Sequence, residues 1–274
     1  MEPDRLLITT QELMAVRGQP DVVVIDVRYS LDGRDEGYDL FAAGHIPGAV
    51  YLHWLDDWSD PDDPVEGQLA GPERFAEAMR RAGVDDDTHV VVYDDAALFM
   101  AARMVWALHH YGHTDAQVLD GGLPKWIAEG GPVETGTGAQ PAPGSFSVPT
   151  TISDTRLTKE DVRGLVEAQD GPLLDCRMDR TWEESGQHIP GAGRLPSPTL
   201  VREDGTLLSP EEIRALVEAQ GVGGDGPVSL YCGGGVSAAQ GWLAMRTAGY
   251  AHPRVYDGSW SEWSIDPDTP KAAH

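Results

Sequence analysis

Two side chains in this sequence can act as sulfur nucleophiles, Cys176 and Cys232. They form neither a CxxC pair nor a Cys/His cluster at metal-ligand spacing, so neither a disulfide framework nor a structural zinc is expected and reduced thiols are the default. Cys232 opens the run Cys232-Gly233-Gly234-Gly235-Val236-Ser237, placed between an apolar stretch, VSLY, and a helical stretch that closes near Gly249. Glycines let such a loop curl until successive amides point inward, and a helix amino terminus adds partial positive charge. Both favour a thiolate, the nucleophilic form of the side chain. A cysteine taken alone is more often a small buried hydrophobe. That is the reading of Cys176, inside the strand-like run PLLDCR, with redox partnership with Cys232 as its alternative. A phosphatase would need an arginine closing a Cys-x5-Arg loop. The sixth residue after Cys232 is Ala238 and the next arginine is Arg246, so that chemistry is excluded.

The elements that must position this loop occur twice. An apolar run ending in Asp-x-Arg spans residues 22–28 (VVVIDVR) and returns at 172–177 (PLLDCR). The pentapeptide HIPGA stands at 45–49 and again at 188–192. An amphipathic helical pattern (72–82; 210–219) then leads into a second apolar run, ending in Tyr93-Asp94 in one copy and Tyr231-Cys232 in the other. Finally GHTDAQVLDGGLPKW (112–126) matches GYAHPRVYDGSWSEW (249–263). Alternating strands and helices imply parallel strands joined by right-handed crossovers and covered on both faces. The expected fold is α/β, two tandem domains, each a mostly parallel sheet flanked by helices. The first spans 1–138, a Gly/Pro/Ser/Thr-rich linker 139–152, and the second 153–274. Ligands of such sheets bind beyond the carboxyl ends of the strands, which is where Cys232 lies.

The bulk numbers agree with two domains: 274 residues, 41% hydrophobic and 24% charged. No apolar stretch reaches the length of a membrane span, and Met1-Glu2-Pro3-Asp4 does not resemble a signal peptide, so a cytoplasmic location is expected. The net charge of −25 repels nucleic acid and anionic membranes. An anion site here must be built locally, from amides and a few arginines.

With the HIPGA elements, the CGGGVSA loop, GRD at 33–35, DGGLPKW and DGSWSEW in this order, nearly the whole chain resembles the rhodanese superfamily of sulfurtransferases, and more closely its tandem-domain mercaptopyruvate/thiosulfate branch. The resemblance implies that Cys232 takes sulfur from a donor, holds it as a persulfide and passes it to cyanide, a thiol or a thioredoxin-like acceptor, with no cofactor and no metal. It implies an inert first domain, where Asp94 replaces the cysteine. The neutral loop is similar to that of members using 3-mercaptopyruvate; thiosulfate is the alternative donor. Substrate contacts then fall to Arg177, Arg180 and the loop residues Gly233, Gly234, Gly235, Val236 and Ser237. The resemblance also links the loop to His45 and Asp35 through a loop hydroxyl, although Gly234 stands where that hydroxyl residue is usual. Ser237 offers another hydroxyl, or else caps the following helix.

Several groups carry a structural alternative. Arg177 has a counterpart in Arg28, as an Asp-Arg pair belonging to the fold would. His45 and His188 sit in the same repeated turn. The arginine-bearing segment of the mercaptopyruvate branch is short here (MDRTWEESGQ), so Arg194 is a substitute candidate. Trp126 and Trp263 read as packing residues. Two rivals to the donor-using enzyme are a persulfide carrier dedicated to one pathway and a non-enzymatic binding module.

Overall fold

The computed structural model describes residues 5–30, 36–95, 97–224 and 226–274. Gly33, Arg34 and Asp35 lie outside the described residues. The chain divides into two compact units. One comprises Met1–Asp62, Leu69–Ser153 and Glu203–Thr206; the other comprises Asp63–Gln68, Asp154–Arg202 and Leu207–His274.

The first unit holds strands β1 (Leu7–Ile8), β2 (Val22–Asp26), β3 (Val50–Tyr51), β4 (His89–Tyr93) and β5 (Ala116–Leu119), paired in the order β1-β5-β4-β2-β3. The second holds β6 (Arg156–Leu157), β7 (Leu173–Asp175), β8 (Gln187–His188), β9 (Gly193–Arg194), β10 (Val228–Tyr231), β11 (Pro253–Tyr256) and β12 (Ala272–Ala273). Its main sheet has the equivalent order β6-β11-β10-β7-β9, while β8 and β12 form a small antiparallel pair. Every pairing in the two five-stranded sheets is parallel. Each sheet is flanked by helices, and the central strands β4 and β10 are buried along their whole length, so they read as unbroken runs rather than alternating ones.

The helices that follow the central strands, Phe99–His110 and Val236–Thr247, are almost entirely buried, and small residues let the second lie close to its sheet. At Gly241 an added Cβ would stand 3.0 Å from Cys176 Sγ and 3.6 Å from Leu230. Glycine costs helix propensity of about 1 kcal/mol there, and it makes room for the Cys176 thiol beneath the helix.

The repeated motifs build the same lock in both units. Arg28 grips Asp26 through Nε and Nη2 and donates to Gly44 O at 2.7 Å. Arg177 grips Asp175 in the same way and donates to Gln187 O at 3.0 Å. The tyrosine that ends each central strand receives the next motif: Tyr93 Oη accepts from Ile46 N–H at 3.1 Å, and Tyr231 Oη from Ile189 N–H at 3.2 Å while donating to Asp175 at 2.7 Å. Asp-x-Arg, HIPGA and the strand-end tyrosine are thus one buried polar network. All its members are partnered, as burial requires.

The Gly/Pro-rich segment 139–152 does not hang free. Gly144 N–H donates to Arg80 O and Phe146 N–H to Val84 O, and the buried Phe146 ring packs against Phe75 and His113. Lacking periodic structure of its own, the segment satisfies its backbone on the first unit.

Candidate active site

Cys232 follows β10 directly, at the carboxyl end of the second sheet, and is 2% exposed. Of the three glycines after it only Gly235 has a left-handed backbone, φ +80°, as the N-cap of the helix Val236–Thr247. A Cβ at Gly233 or Gly234 would meet nothing within 4 Å. The curl therefore rests on one glycine, and the other two leave open space over the loop. Val236, Ser237 and Ala238 are the first three helical residues, whose N–H groups have no intrahelical acceptor. Ser237 is the second of them rather than the N-cap, and the N-cap has no side-chain bond.

The first unit shows what such a loop does with an anion. Asp94 occupies the place of Cys232 and is 1% exposed. Its Oδ1 accepts from Leu98 N–H at 3.1 Å, and its Oδ2 from Met100 N–H at 2.8 Å and Ala101 N–H at 3.0 Å. Leu98 is the N-cap of the helix Phe99–His110, and Met100 and Ala101 are its second and third residues. The equivalent amides in the second unit belong to Gly235, Ser237 and Ala238. The first loop is one residue longer and turns through left-handed Ala97 and Leu98 instead of glycine.

A residue that sequence reading passed over completes the second loop. Ser259 Oγ accepts from Cys232 N–H at 3.0 Å and from Gly235 N–H at 3.1 Å, and donates to Tyr256 O at 2.7 Å. It lies 4.0 Å from Cys232 Sγ. Trp260 N–H and Ser261 N–H add bonds to Cys232 O and Gly233 O, both 2.9 Å. The signal was present in DGSWSEW, which sets Ser259 against Gly122 of DGGLPKW, a hydroxyl where the other copy has none.

The arginines differ sharply. Arg177 is buried; besides Asp175 and Gln187 it donates to Ser185 Oγ at 2.8 Å, and its guanidinium lies 4.7 Å from the Trp260 ring centroid. All three of its nitrogens are engaged in the fold. Arg180 is 86% exposed, with Nε on Glu184 at 2.9 Å and its terminal nitrogens toward solvent. Arg194 ends β9 in register with Asp175, lies 4.4 Å over Trp182 and pairs with Asp179; its Nη1 is buried with no partner among the described residues.

His45 is fully buried. Its Nδ1 is 2.8 Å from Phe41 O, its Nε2 is 3.2 Å from Glu134, and its ring stacks on Phe41 at 3.9 Å. Both nitrogens are engaged within the first unit, and Asp35 is not among the described residues. His188 faces His274 instead, 3.3 Å between the Nδ1 atoms. Trp126 and Trp263 are buried, each donating Nε1–H to a proline carbonyl, Pro132 O and Pro270 O, at 2.8 Å. Cys176 is sealed in, and burial first, then Cys232, pushes its thiol well up.

The family model for the rhodanese-like domain matches residues 9–129 and 158–266. The 3-mercaptopyruvate sulfurtransferase of Escherichia coli K12 is 35% identical, over 92% of both chains. The putative thiosulfate sulfurtransferase SseB of Mycobacterium tuberculosis is 36% identical, over 97% of this chain and 96% of its own. Among solved structures, SseA from Escherichia coli, described as having the rhodanese fold, superposes with a TM-score of 0.85 at 32% identity, covering 93% of this chain and 99% of that one.

Proposed function

Since the chain belongs to the family of rhodanese-like domains, we propose that it is a sulfurtransferase carrying sulfane sulfur on Cys232, from 3-mercaptopyruvate in preference to thiosulfate, to a thiophilic acceptor such as cyanide or a thiol. The Cys232 thiolate attacks the donor sulfur; the C–S bond of mercaptopyruvate breaks and pyruvate leaves as its enolate, which takes up the proton given up by the transferred sulfur, or the S–S bond of thiosulfate breaks and sulfite leaves. The acceptor then attacks the outer sulfur and returns the thiolate. Two displacements at one nucleophile give ping-pong kinetics.

The observation that carries this reading is Asp94. Its carboxylate bonds three main-chain N–H groups at the end of a central strand, and the second unit places a thiol at the same station. Amides fixed before the reaction stabilise a sulfur anion without reorganising. The neutral loop suits a donor with a single carboxylate better than a doubly charged one. We assign that carboxylate to Arg180 and Arg194, whose guanidinium groups keep N–H groups unengaged among the described residues. A reducing, cytoplasmic setting suits a chain that works through a thiolate; no described helix is long and apolar enough to cross a membrane.

Intact-mass measurement tests the reading. Purified protein incubated with either donor should gain one sulfur and lose it on adding cyanide, with mercaptopyruvate loading faster. No adduct from either donor would leave a binding module.

A further inference from the structure

We infer that Ser259 is the positioning residue that keeps the Cys232 loop receptive to a sulfur anion. The inference rests on Cys232 as the sulfur carrier and adds a group that decides how that sulfur is held.

The backbone of Ser259 is the first sign. Its φ is +50°, in the left-handed region where a residue with a Cβ is strained, while the counterpart Gly122 has φ +58° and no such strain. A strained residue persists only where its surroundings over-determine it. Here the hydroxyl uses its whole capacity, accepting from Cys232 and Gly235 and donating to Tyr256 O. Glycine would suit the backbone, so the side chain is what the site requires.

The division of amides gives the reason. In the first unit one carboxylate does two things: Oδ1 takes the N-cap amide of Leu98, and Oδ2 takes the second and third helical amides. In the second unit Ser259 Oγ takes the N-cap amide, Gly235 N–H, together with Cys232 N–H. The hydroxyl therefore does the work of Oδ1, and the Ser237 and Ala238 amides remain for the sulfur. Without it, two buried N–H groups lose their acceptor, and turning toward the thiolate is their nearest remedy. The loop would then close on Cys232 as the longer loop closes on Asp94.

Three variants separate hydroxyl from backbone: Ser259→Gly relieves the strain and removes the hydroxyl, Ser259→Ala removes only the hydroxyl, and Ser259→Thr keeps it. Iodoacetamide alkylation of Cys232 is followed against pH in a Cys176→Ser background, beside kcat and KM with mercaptopyruvate and a circular dichroism check of folding. Because the freed amides close on the thiolate and hold it, S259G and S259A should shift the alkylation profile down by about one pH unit and lower kcat about tenfold or more, with KM within about threefold, while S259T keeps the parent profile. A parent-like profile in folded S259G or S259A overturns the inference, as does an active S259A beside an inactive S259G. If neither folds, S259T decides: a parent profile sustains the inference and a shifted one ends it. Failure of the unmutated protein to load sulfur would refute the sulfur-carrier reading, whereas the alkylation profiles still judge Ser259.

Discussion

Replacing Asp94 by alanine turns the first unit's filled anion site into an empty one. The carboxylate accepts amide hydrogen bonds of 2.8 to 3.1 Å from Leu98, Met100 and Ala101 in a buried position. Charge-assisted bonds contribute about 1.5–3 kcal/mol each, and a buried amide left unpaired costs about 1–3 kcal/mol. Water entering the vacated space recovers part of this, so D94A should lose about 3–5 kcal/mol. For a unit of this size that lowers Tm by roughly 10 °C. The assay is calorimetric unfolding with and without sodium formate, sodium chloride being the ionic-strength control. If the hole selects a carboxylate with Kd of about 10 mM, 100 mM formate restores about 1.4 kcal/mol, or about 3–5 °C. Asp94→Asn fills the same volume and should gain nothing from formate. A loss below about 1 kcal/mol in D94A, or a formate effect no larger than that on the unmutated protein, would refute the claim that these loops are anion cradles, and with it the physical basis for a sulfur anion at Cys232.

Other outcomes test separate parts of the site. Cys232→Ser should abolish sulfur transfer from every donor, while Cys176→Ser keeps most of it; because burial pushes its thiol up, Cys176 should also resist iodoacetamide at neutral pH until the protein unfolds, and equal losses in the two variants would contradict the assignment. Gly235→Ala forces a Cβ into φ +80° and should cost about 1–2 kcal/mol in a urea melt, whereas Gly233→Ala, with open space around it, should cost under about 0.5 kcal/mol. Arg180→Ala should raise KM for mercaptopyruvate about tenfold with little change in kcat; an unchanged KM would remove Arg180 from the carboxylate site.

The two-sheet architecture was legible because each landmark carries a period or a breaker: the valine runs of β2 and β4, the helix between them and the turn at HIPGA recur at nearly constant spacing. The placement of Cys232 between a strand end and a helix start was legible because glycine, thiol and strand end stand together in one short run. What spacing conceals is which partners occupy a polar group. Arg177 and Arg180 look alike in sequence, yet one is locked against Asp175, Ser185 and Gln187 and the other stands in solvent on Glu184. His45 reads as a site histidine in sequence, and the spacing gives no hint that Phe41 O and Glu134 engage both of its nitrogens. Three consecutive glycines suggest three special conformations, but only Gly235 adopts one.

The two copies also explain each other in a way neither does alone. A strand that ends where a helix begins presents amides that must be satisfied whether or not chemistry occurs there. The first unit gives its Leu98, Met100 and Ala101 amides to Asp94 as a fixed part of the fold. The second assigns Cys232 N–H and Gly235 N–H to the Ser259 hydroxyl, and on the proposed reading the Ser237 and Ala238 amides at the helix start are left for the charge on Cys232. A thiolate and a persulfide are both anions that can use those amides, so the loop need not rearrange between the two halves of a ping-pong cycle. On the proposed reading, one hydroxyl in place of a glycine and one thiol in place of a carboxylate turn a structural anion lock into a site that takes and releases its anion.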